Sequence, residues 1–75
     1  MKIWHATVGD TYYSIELTVD RIVFSKHNGT RESYGGNNMP YPRFLRREKW
    51  QRHVLEVFGP DVLQCLLETA RARSR

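Results

Sequence analysis

Residues 3–19, IWHATVGDTYYSIELTV, decide the predicted fold, because apolar and polar side chains alternate on both sides of Gly9-Asp10. Side chains two positions apart share one face of a strand, so this alternation predicts two strands. Glycine tolerates the positive φ that the first position of a two-residue hairpin turn requires. The stretch therefore predicts a β-hairpin in which Val8 pairs with Thr11.

This pairing collects apolar side chains on one face of the sheet. That face holds Trp4, Ala6, Val8, Tyr13, Ile15 and Leu17. A second two-residue turn at positions 20–21 pairs Val19 with Ile22. The same turn brings Phe24 onto the apolar face in a third strand. Two independent turns thus predict one shared core face.

Asn28-Gly29 is a further hairpin signal, because this pair favours a type I′ turn. It leaves residues 30–34 as a short edge strand or a return arm. The first part of the chain, residues 1–34, is therefore predicted to be an antiparallel meander of three or four strands. Residues 35–41, which begin with Gly-Gly-Asn-Asn, are predicted to be a loop.

The second half of the chain has the 3.6-residue spacing of amphipathic helices. Residues 42–58 are predicted to form one basic helix, because proline fits the first turn of a helix and apolar side chains then recur on one stripe. The stripe consists of Phe44, Trp50, Val54, Leu55, Val57 and Phe58. Lys49, Arg52, His53 and Glu56 are predicted to lie on the opposite, solvent-facing side.

A second helix is predicted over residues 60–73, since Gly59 can close the first helix and Pro60 suits the start of the next. Residues 74–75 are expected to be a tail. The fold class is α+β, with two C-terminal amphipathic helices covering one face of the meander in a single domain, 1–75. The predicted core is Trp4, Ile15, Leu17, Phe24, Val54, Phe58, Leu63, Leu66 and Leu67.

Composition excludes several classes of protein. The chain has 75 residues and one cysteine, Cys65, so no intrachain disulfide can form and we expect a reducing compartment. Its amino end alternates apolar with polar residues, unlike a secretion signal or a membrane span. We therefore expect a cytoplasmic protein that contacts no membrane.

No catalytic or metal-binding motif stands out in the sequence. The predicted registers place His5, Ser14 and His27 in one row, with two strand spacings, roughly 9–10 Å, between the histidines. One metal ion cannot bridge that distance, and no third ligand completes a site. A Ser-His pair without an orienting acid does not indicate nucleophilic catalysis. We expect no metal, no cofactor and no enzymatic activity.

The strongest functional signal is the stretch PYPRFLRREKWQRH, residues 40–53. It contains five cationic side chains and one carboxylate, so its local charge is +4. Arginine binds carboxylate or phosphate bidentately, and aromatic side chains anchor interfaces, so an acidic protein surface or a nucleic acid would fit. A solvated helix face is the plain alternative. The candidate partner-binding residues are Arg43, Arg46, Arg47, Lys49, Trp50 and Arg52.

The open face of the predicted sheet is a secondary candidate surface. It presents His5, Tyr12, His27 and Tyr34 beside polar neighbours. Aromatic side chains on an open sheet can stack on the bases of single-stranded nucleic acid. Isolated aromatic residues are also ordinary on an exposed sheet, so this surface ranks below the basic segment.

These patterns lead us to expect a small basic, non-enzymatic binding module that regulates or inhibits a larger protein assembly that handles nucleic acid. A motif-free, arginine-rich chain of this size is typical of phage or mobile-element proteins that block a larger machine. Direct binding of DNA or RNA by the basic helix, residues 43–53, is the alternative. A small hydrolase or nuclease is the third possibility.

Overall fold

The computed structural model of the chain describes residues 2–28 and 35–74, in which four strands are followed by three helices. The strands are β1 (Lys2–Val8), β2 (Thr11–Leu17), β3 (Arg21–Asn28) and β4 (Gly35–Pro40), and the helices are α1 (Tyr41–Phe44), α2 (Glu48–Phe58) and α3 (Pro60–Arg73). The strands form one antiparallel sheet in the order β1-β2-β3-β4. The predicted α+β class, an antiparallel meander followed by C-terminal helices, is confirmed.

The β1–β2 hairpin has the predicted register. Val8 pairs with Thr11, and Trp4 pairs with Ile15. Gly9 has a φ of 62°, which residues with a side chain rarely adopt, at the first position of the two-residue turn. The sequence pattern and the turn chemistry thus specify the same pairing.

The β2–β3 register differs from the prediction by two residues. Leu17 pairs with Ile22 rather than Phe24, because the two-residue turn lies at positions 19–20, one residue earlier than predicted. Across this turn, the Thr18 N–H donates to the Arg21 carbonyl at 2.9 Å and the Arg21 N–H donates to Thr18 Oγ1 at 3.2 Å. A shift of two residues leaves every side chain on its predicted face, since the strand period is two.

Residues 35–40 form strand β4, so the predicted loop over 35–41 is wrong. Glycine and asparagine have low strand propensity, but here pairing with β3 outweighs that preference. Met39 pairs with Ile22, and both side chains are buried. The edge strand predicted over residues 30–34 lies outside the described residues.

The predicted single helix over 42–58 is also wrong, because α1 ends at Phe44 and α2 begins at Glu48. The intervening turn lets both aromatic side chains of α1, Tyr41 and Phe44, reach the core. The Phe44 carbonyl at the break accepts a hydrogen bond from Gln51 Nε2 at 2.9 Å, so this helix end is satisfied. The second predicted helix, 60–73, is confirmed.

The core lies between the sheet and the helices. Its buried members are Ile15, Leu17, Ile22, Phe24, Met39, Tyr41, Phe44, Val54, Leu66 and Ala70. The remaining residues of the predicted core, Trp4, Phe58, Leu63 and Leu67, pack against this cluster but are only partly buried. Val8 and Leu55, which the sequence assigned to the apolar faces, are 54% and 44% exposed and lie at its margins.

One end of the interface between sheet and helices is held by polar contacts, and we call it the tethered end: Thr18, Val19, Tyr41 and Arg73. The Tyr41 hydroxyl donates to the Thr18 carbonyl. Arg73 Nη1 donates to the Val19 carbonyl at 3.1 Å, and its guanidinium lies 5.7 Å from the centre of the Tyr41 ring. The last turn of α3 is therefore fixed to the β2–β3 turn.

Candidate functional site

The predicted basic segment follows a bent path. Arg43 lies in α1, Arg46 in the turn after it, and Arg47 directly before α2, while Lys49 and Arg52 lie in the first half of α2. All five side chains are exposed. The cations therefore do not form a straight stripe along one helix, as the prediction of a continuous basic helix required.

Helix α2 itself carries no net charge. Glu48 and Glu56 offset Lys49 and Arg52, so the positive excess lies before the helix. We call Arg43, Arg46 and Arg47 together the arginine turn. The unit that concentrates positive charge is therefore a turn, which presents its side chains differently from a helix face.

The cations of this segment have no carboxylate partner in the described part of the chain. Among residues 2–28 and 35–74 the one ion pair joins Arg21 Nη2 to Asp20 Oδ2 at 3.5 Å, far along the sequence from the arginine turn. Exposed guanidinium groups without an internal partner keep their full capacity to bind an external anion.

Trp50, predicted as a partner-binding anchor, does not project from the surface. Its side chain is half-buried, and its ring stacks on Phe24 with centroids 4.6 Å apart and planes 29° apart. Trp50 therefore belongs to the edge of the core and offers only part of its ring to solvent.

The exposed part of Trp50 forms one wall of an open groove of about 360 Å³ between α2 and the β3–β4 side of the sheet. We call it the aromatic groove. Its lining residues are Tyr13, Phe24, Ser25, Lys26, Gly36, Asn37, Lys49, Trp50 and His53. Two predicted partner-binding residues, Lys49 and Trp50, thus meet there with residues from three strands.

The imidazole of His53 contacts three other rings of this groove. It lies 5.5 Å from Trp50, 5.3 Å from Tyr13 and 6.3 Å from Phe24, centre to centre, in edge-to-face arrangements. The prediction that His53 faces solvent is wrong. Positions three apart share a helix face, so His53 follows Trp50 towards the sheet.

The rim of the groove is positively charged. Lys26 on β3 and Lys49 on α2 are exposed, and Lys26 Nζ lies 6.0 Å from the centre of the Tyr13 ring. The described residues that line the groove include no Asp or Glu. The groove therefore joins an aromatic interior to a cationic rim.

The electrostatics of His53 follow from this setting. Burial lowers the pKa of His53 below its ordinary 6.5, and Lys26 lowers the pKa further, while Glu56 opposes the shift. The imidazole is consequently neutral at pH 7 and serves there as a neutral aromatic wall.

The secondary surface is a cluster of rings on the sheet face opposite the helices. The Tyr12 ring lies 5.5 Å from His5 and 4.8 Å from His27, and its hydroxyl is hydrogen-bonded to His5 Nδ1. His27 pairs with Tyr12 and not with Ser14, which corrects the predicted row of His5, Ser14 and His27. Tyr34 lies outside the described residues.

Two further findings concern metals and membranes. Within residues 2–28 and 35–74, no group of three or more His, Cys, Asp or Glu side chains is arranged to hold a metal ion. None of the helices in the described ranges is long and apolar enough to cross a membrane.

Most residues of the aromatic groove could not be recognised as a site from the sequence. Tyr13 and Phe24 were assigned to the core face, and Lys26 and Asn37 to no site at all. The signal that could have indicated the groove is the Trp50-x-x-His53 spacing, which places two rings on one helix face above the sheet. Asn37 could not be found, because residues 35–41 were predicted to be a loop.

Comparison of the chain with protein-family models, curated proteins and solved structures finds no match in any of the three. A functional proposal therefore depends on the geometry of the chain's own residues.

Proposed function

We propose that the protein is a non-enzymatic module that binds an acidic surface of a larger protein assembly and thereby regulates or inhibits it. We further propose, from the sequence, that this assembly handles nucleic acid. The observation that carries the proposal is a run of exposed cations without carboxylate partners in the described chain, next to an open aromatic groove. These cations are Arg43, Arg46, Arg47, Lys49 and Arg52.

Charge and aromatic side chains together favour a protein partner. Interfaces between proteins concentrate their affinity in a few Trp, Tyr and Arg side chains, and surrounding charges guide the encounter. The arginine turn supplies guanidinium groups, and the groove beside it supplies Trp50. This combination matches an acidic surface that also carries apolar side chains.

The start of α2 argues against direct reading of duplex DNA. A recognition helix enters the major groove with its N-terminal residues on the bases, and a helix N-terminus attracts phosphate. Here Glu48 occupies the first turn of α2 and is exposed. A carboxylate at that position repels phosphate, and the balanced charge of α2 offers little compensation.

The described residues give little support to a hydrolytic site in the groove. Among the described lining residues only His53 carries an imidazole, and none carries a carboxylate that could orient it. A nucleophile needs its general base within hydrogen-bond reach, and no hydrogen bond joins His53 to the Ser25 hydroxyl in the described part of the chain. Binding is therefore the function that these residues support best.

The test compares two exposed arginines in the full-length protein. Arg46→Glu reverses a charge in the arginine turn, and Arg71→Glu makes the same change on α3, outside the basic segment. Affinity capture after nuclease treatment should retain an acidic protein with the parent and with Arg71→Glu. Capture should be lost with Arg46→Glu.

The competing outcome is direct nucleic-acid binding. Tight, salt-sensitive binding to random DNA or RNA, weakened equally by Arg46→Ala, Lys49→Ala and Arg52→Ala, would overturn the proposal. Each lost phosphate contact would then flatten the salt dependence of binding by about one unit of slope.

A further inference from the structure

The aromatic side chains that line the interior of the groove can pack against a flat ring. Phe24, which is 4% exposed, forms the floor, while Trp50 and His53 on α2 and Tyr13 on β2 form the walls. Aromatic rings prefer offset-stacked and edge-to-face contacts, and these walls already hold such angles to one another. A groove of about 360 Å³ lies within the size range of sites that take one small ligand or side chain.

The polar groups at the rim favour an anion. Lys26 and Lys49 approach the groove from the sheet and from the helix, and both are exposed. Asn37 Oδ1 accepts the Asn38 N–H at 2.9 Å, which leaves the Asn37 amide NH₂ as a donor. With His53 neutral at pH 7, the charged groups that line the groove are the two lysines.

We infer that the aromatic groove takes an aromatic side chain of the partner protein, with an adjacent carboxylate bound by Lys26 and Lys49. The inference rests on the proposed function, because it specifies the chemistry of the acidic partner beside the arginine turn. The occupant is an acidic segment in which an aromatic residue and an Asp or Glu are neighbours. The ring contributes apolar contact, and the carboxylate fixes its orientation.

A peptide suits the site better than a nucleotide strand. The groove accommodates one ring, and Glu48 precedes Lys49 at the exposed start of α2, so a phosphate chain leaving the groove on that side meets a carboxylate. A side-chain carboxylate ends at the lysines and need not continue past Glu48. Charge complementarity therefore selects the acidic peptide.

The first experiment uses small probes and the ¹⁵N-labelled full-length protein, observed by NMR. Indole-3-acetate supplies a ring with a carboxylate, tryptamine supplies the same ring with a cation, and adenosine monophosphate supplies a base with a phosphate. Indole-3-acetate should shift the indole signal of Trp50 and the amide signals of Lys26 and Asn37. Its dissociation constant should be on the order of millimolar, as befits so small a ligand.

The contrast between probes decides the inference without any variant. Tryptamine should bind at least about five-fold more weakly than indole-3-acetate, since two lysines oppose its cation. Equal binding of the two probes, or shifts confined to residues outside the groove, would overturn the inference. Tighter binding of adenosine monophosphate than of indole-3-acetate would also overturn it, in favour of a nucleotide.

Charge variants then locate the carboxylate. Lys26→Met and Lys49→Met should each weaken indole-3-acetate binding by about two- to five-fold, the usual effect of one exposed ion pair. Arg71→Met, which removes an exposed cation on α3 outside both the groove lining and the basic segment, should leave the dissociation constant unchanged. A loss with Arg71→Met as large as with the lysine variants would indicate general attraction rather than a site, and would contradict the inference.

Failure of this inference differs from failure of the proposed function. If Arg46→Glu abolishes capture of an acidic protein but indole-3-acetate does not shift the groove signals, the proposed function stands and the groove inference falls. If the probe binds in the groove but no acidic protein is captured, the proposed function falls and the partner side chain falls with it, while the groove's preference for a ring with a neighbouring carboxylate stands.

Discussion

The two ends of the interface between sheet and helices use their polar side chains in opposite ways. At the tethered end, Tyr41 and Arg73 donate to backbone carbonyls of the β2–β3 turn. At the aromatic groove, Lys26 and Lys49 have no carboxylate partner in the described chain, and Lys26 Nζ lies 6.0 Å from the centre of the Tyr13 ring. The hydrogen bonds of the tethered end stabilise the fold, whereas under our proposal the lysines of the groove end bind a partner. Stability and binding should therefore separate when the two ends are mutated.

The core beneath both ends should show the largest effect. Leu66 is fully buried, and Leu66→Ala should cost about 2–5 kcal/mol through lost burial and the cavity left behind. A domain of this size has a total stability of only a few kcal/mol, so partial unfolding is expected at 25 °C. Urea unfolding followed by circular dichroism measures the loss.

The matched control for this variant is Leu55→Ala on α2. Leu55 is 44% exposed, and the change should cost less than about 1 kcal/mol. Similar losses for the two leucines would show that the assignment of the core is wrong.

The tethered end should show the next largest effect. Tyr41→Phe removes the hydroxyl that donates to the Thr18 carbonyl and should cost about 0.5–1.5 kcal/mol. Tyr13→Phe makes the same change at the aromatic groove, where the described contacts of Tyr13 are between rings or with a lysine. That variant should unfold within about 0.5 kcal/mol of the parent. If the two variants lose equal stability, the contrast between the ends fails.

Acid should weaken the groove end through His53. Its pKa is lowered in the folded protein, so the unfolded state, with a pKa of 6.5, binds the proton first as the pH falls. The resulting loss of folding stability is absent at pH values well above 6.5. It grows as the pH falls from 6.5 to the lower pKa of His53 in the folded protein. Unfolding measured across this range should depend less on pH in His53→Gln than in the parent.

A second variant separates the two causes of the lowered pKa. Burial is the larger cause and Lys26 the smaller, so Lys26→Met should raise the pKa of His53 only part of the way to 6.5. An NMR titration of the imidazole measures this. Full restoration to 6.5 would mean that charge, rather than burial, dominates.

Local rules predicted the fold wherever one turn residue determined the geometry. Gly9-Asp10 specified the first hairpin, and Gly59 specified the boundary between the last two helices, where its φ is 99°. The β2–β3 turn was predicted one residue too late, because the Thr18 hydroxyl accepts the Arg21 N–H and fixes the turn at positions 19–20, which propensity alone does not reveal. The error was harmless for the core, since the shift of two residues preserved the faces.

Tertiary contacts determined what the sequence could not. No glycine or proline marks the break between α1 and α2, and it exists because Tyr41 and Phe44 are both buried. Strand β4 likewise depends on β3, since Gly-Gly-Asn-Asn has no strand pattern of its own. Both errors affected the candidate site, because the break bends the basic segment and β4 supplies one side of the aromatic groove.

The smallest effect on stability should come from the arginine turn, where Arg46 can be compared with Arg73 at the tethered end. Arg46 is exposed and has no ion-pair partner among residues 2–28 and 35–74, so Arg46→Ala should change the free energy of unfolding by no more than about 0.5 kcal/mol. Arg73→Ala removes the same kind of side chain from the tethered end, where it donates to the Val19 carbonyl and packs over Tyr41. That change should cost more, about 0.5–1.5 kcal/mol, because it removes a hydrogen bond and a ring contact together. Binding should respond in the opposite order, with Arg46→Ala weakening partner affinity more than Arg73→Ala does. If Arg46→Ala destabilises the fold as much as Arg73→Ala does, Arg46 contributes to folding stability, and the proposed division between a stabilising end and a binding surface is wrong.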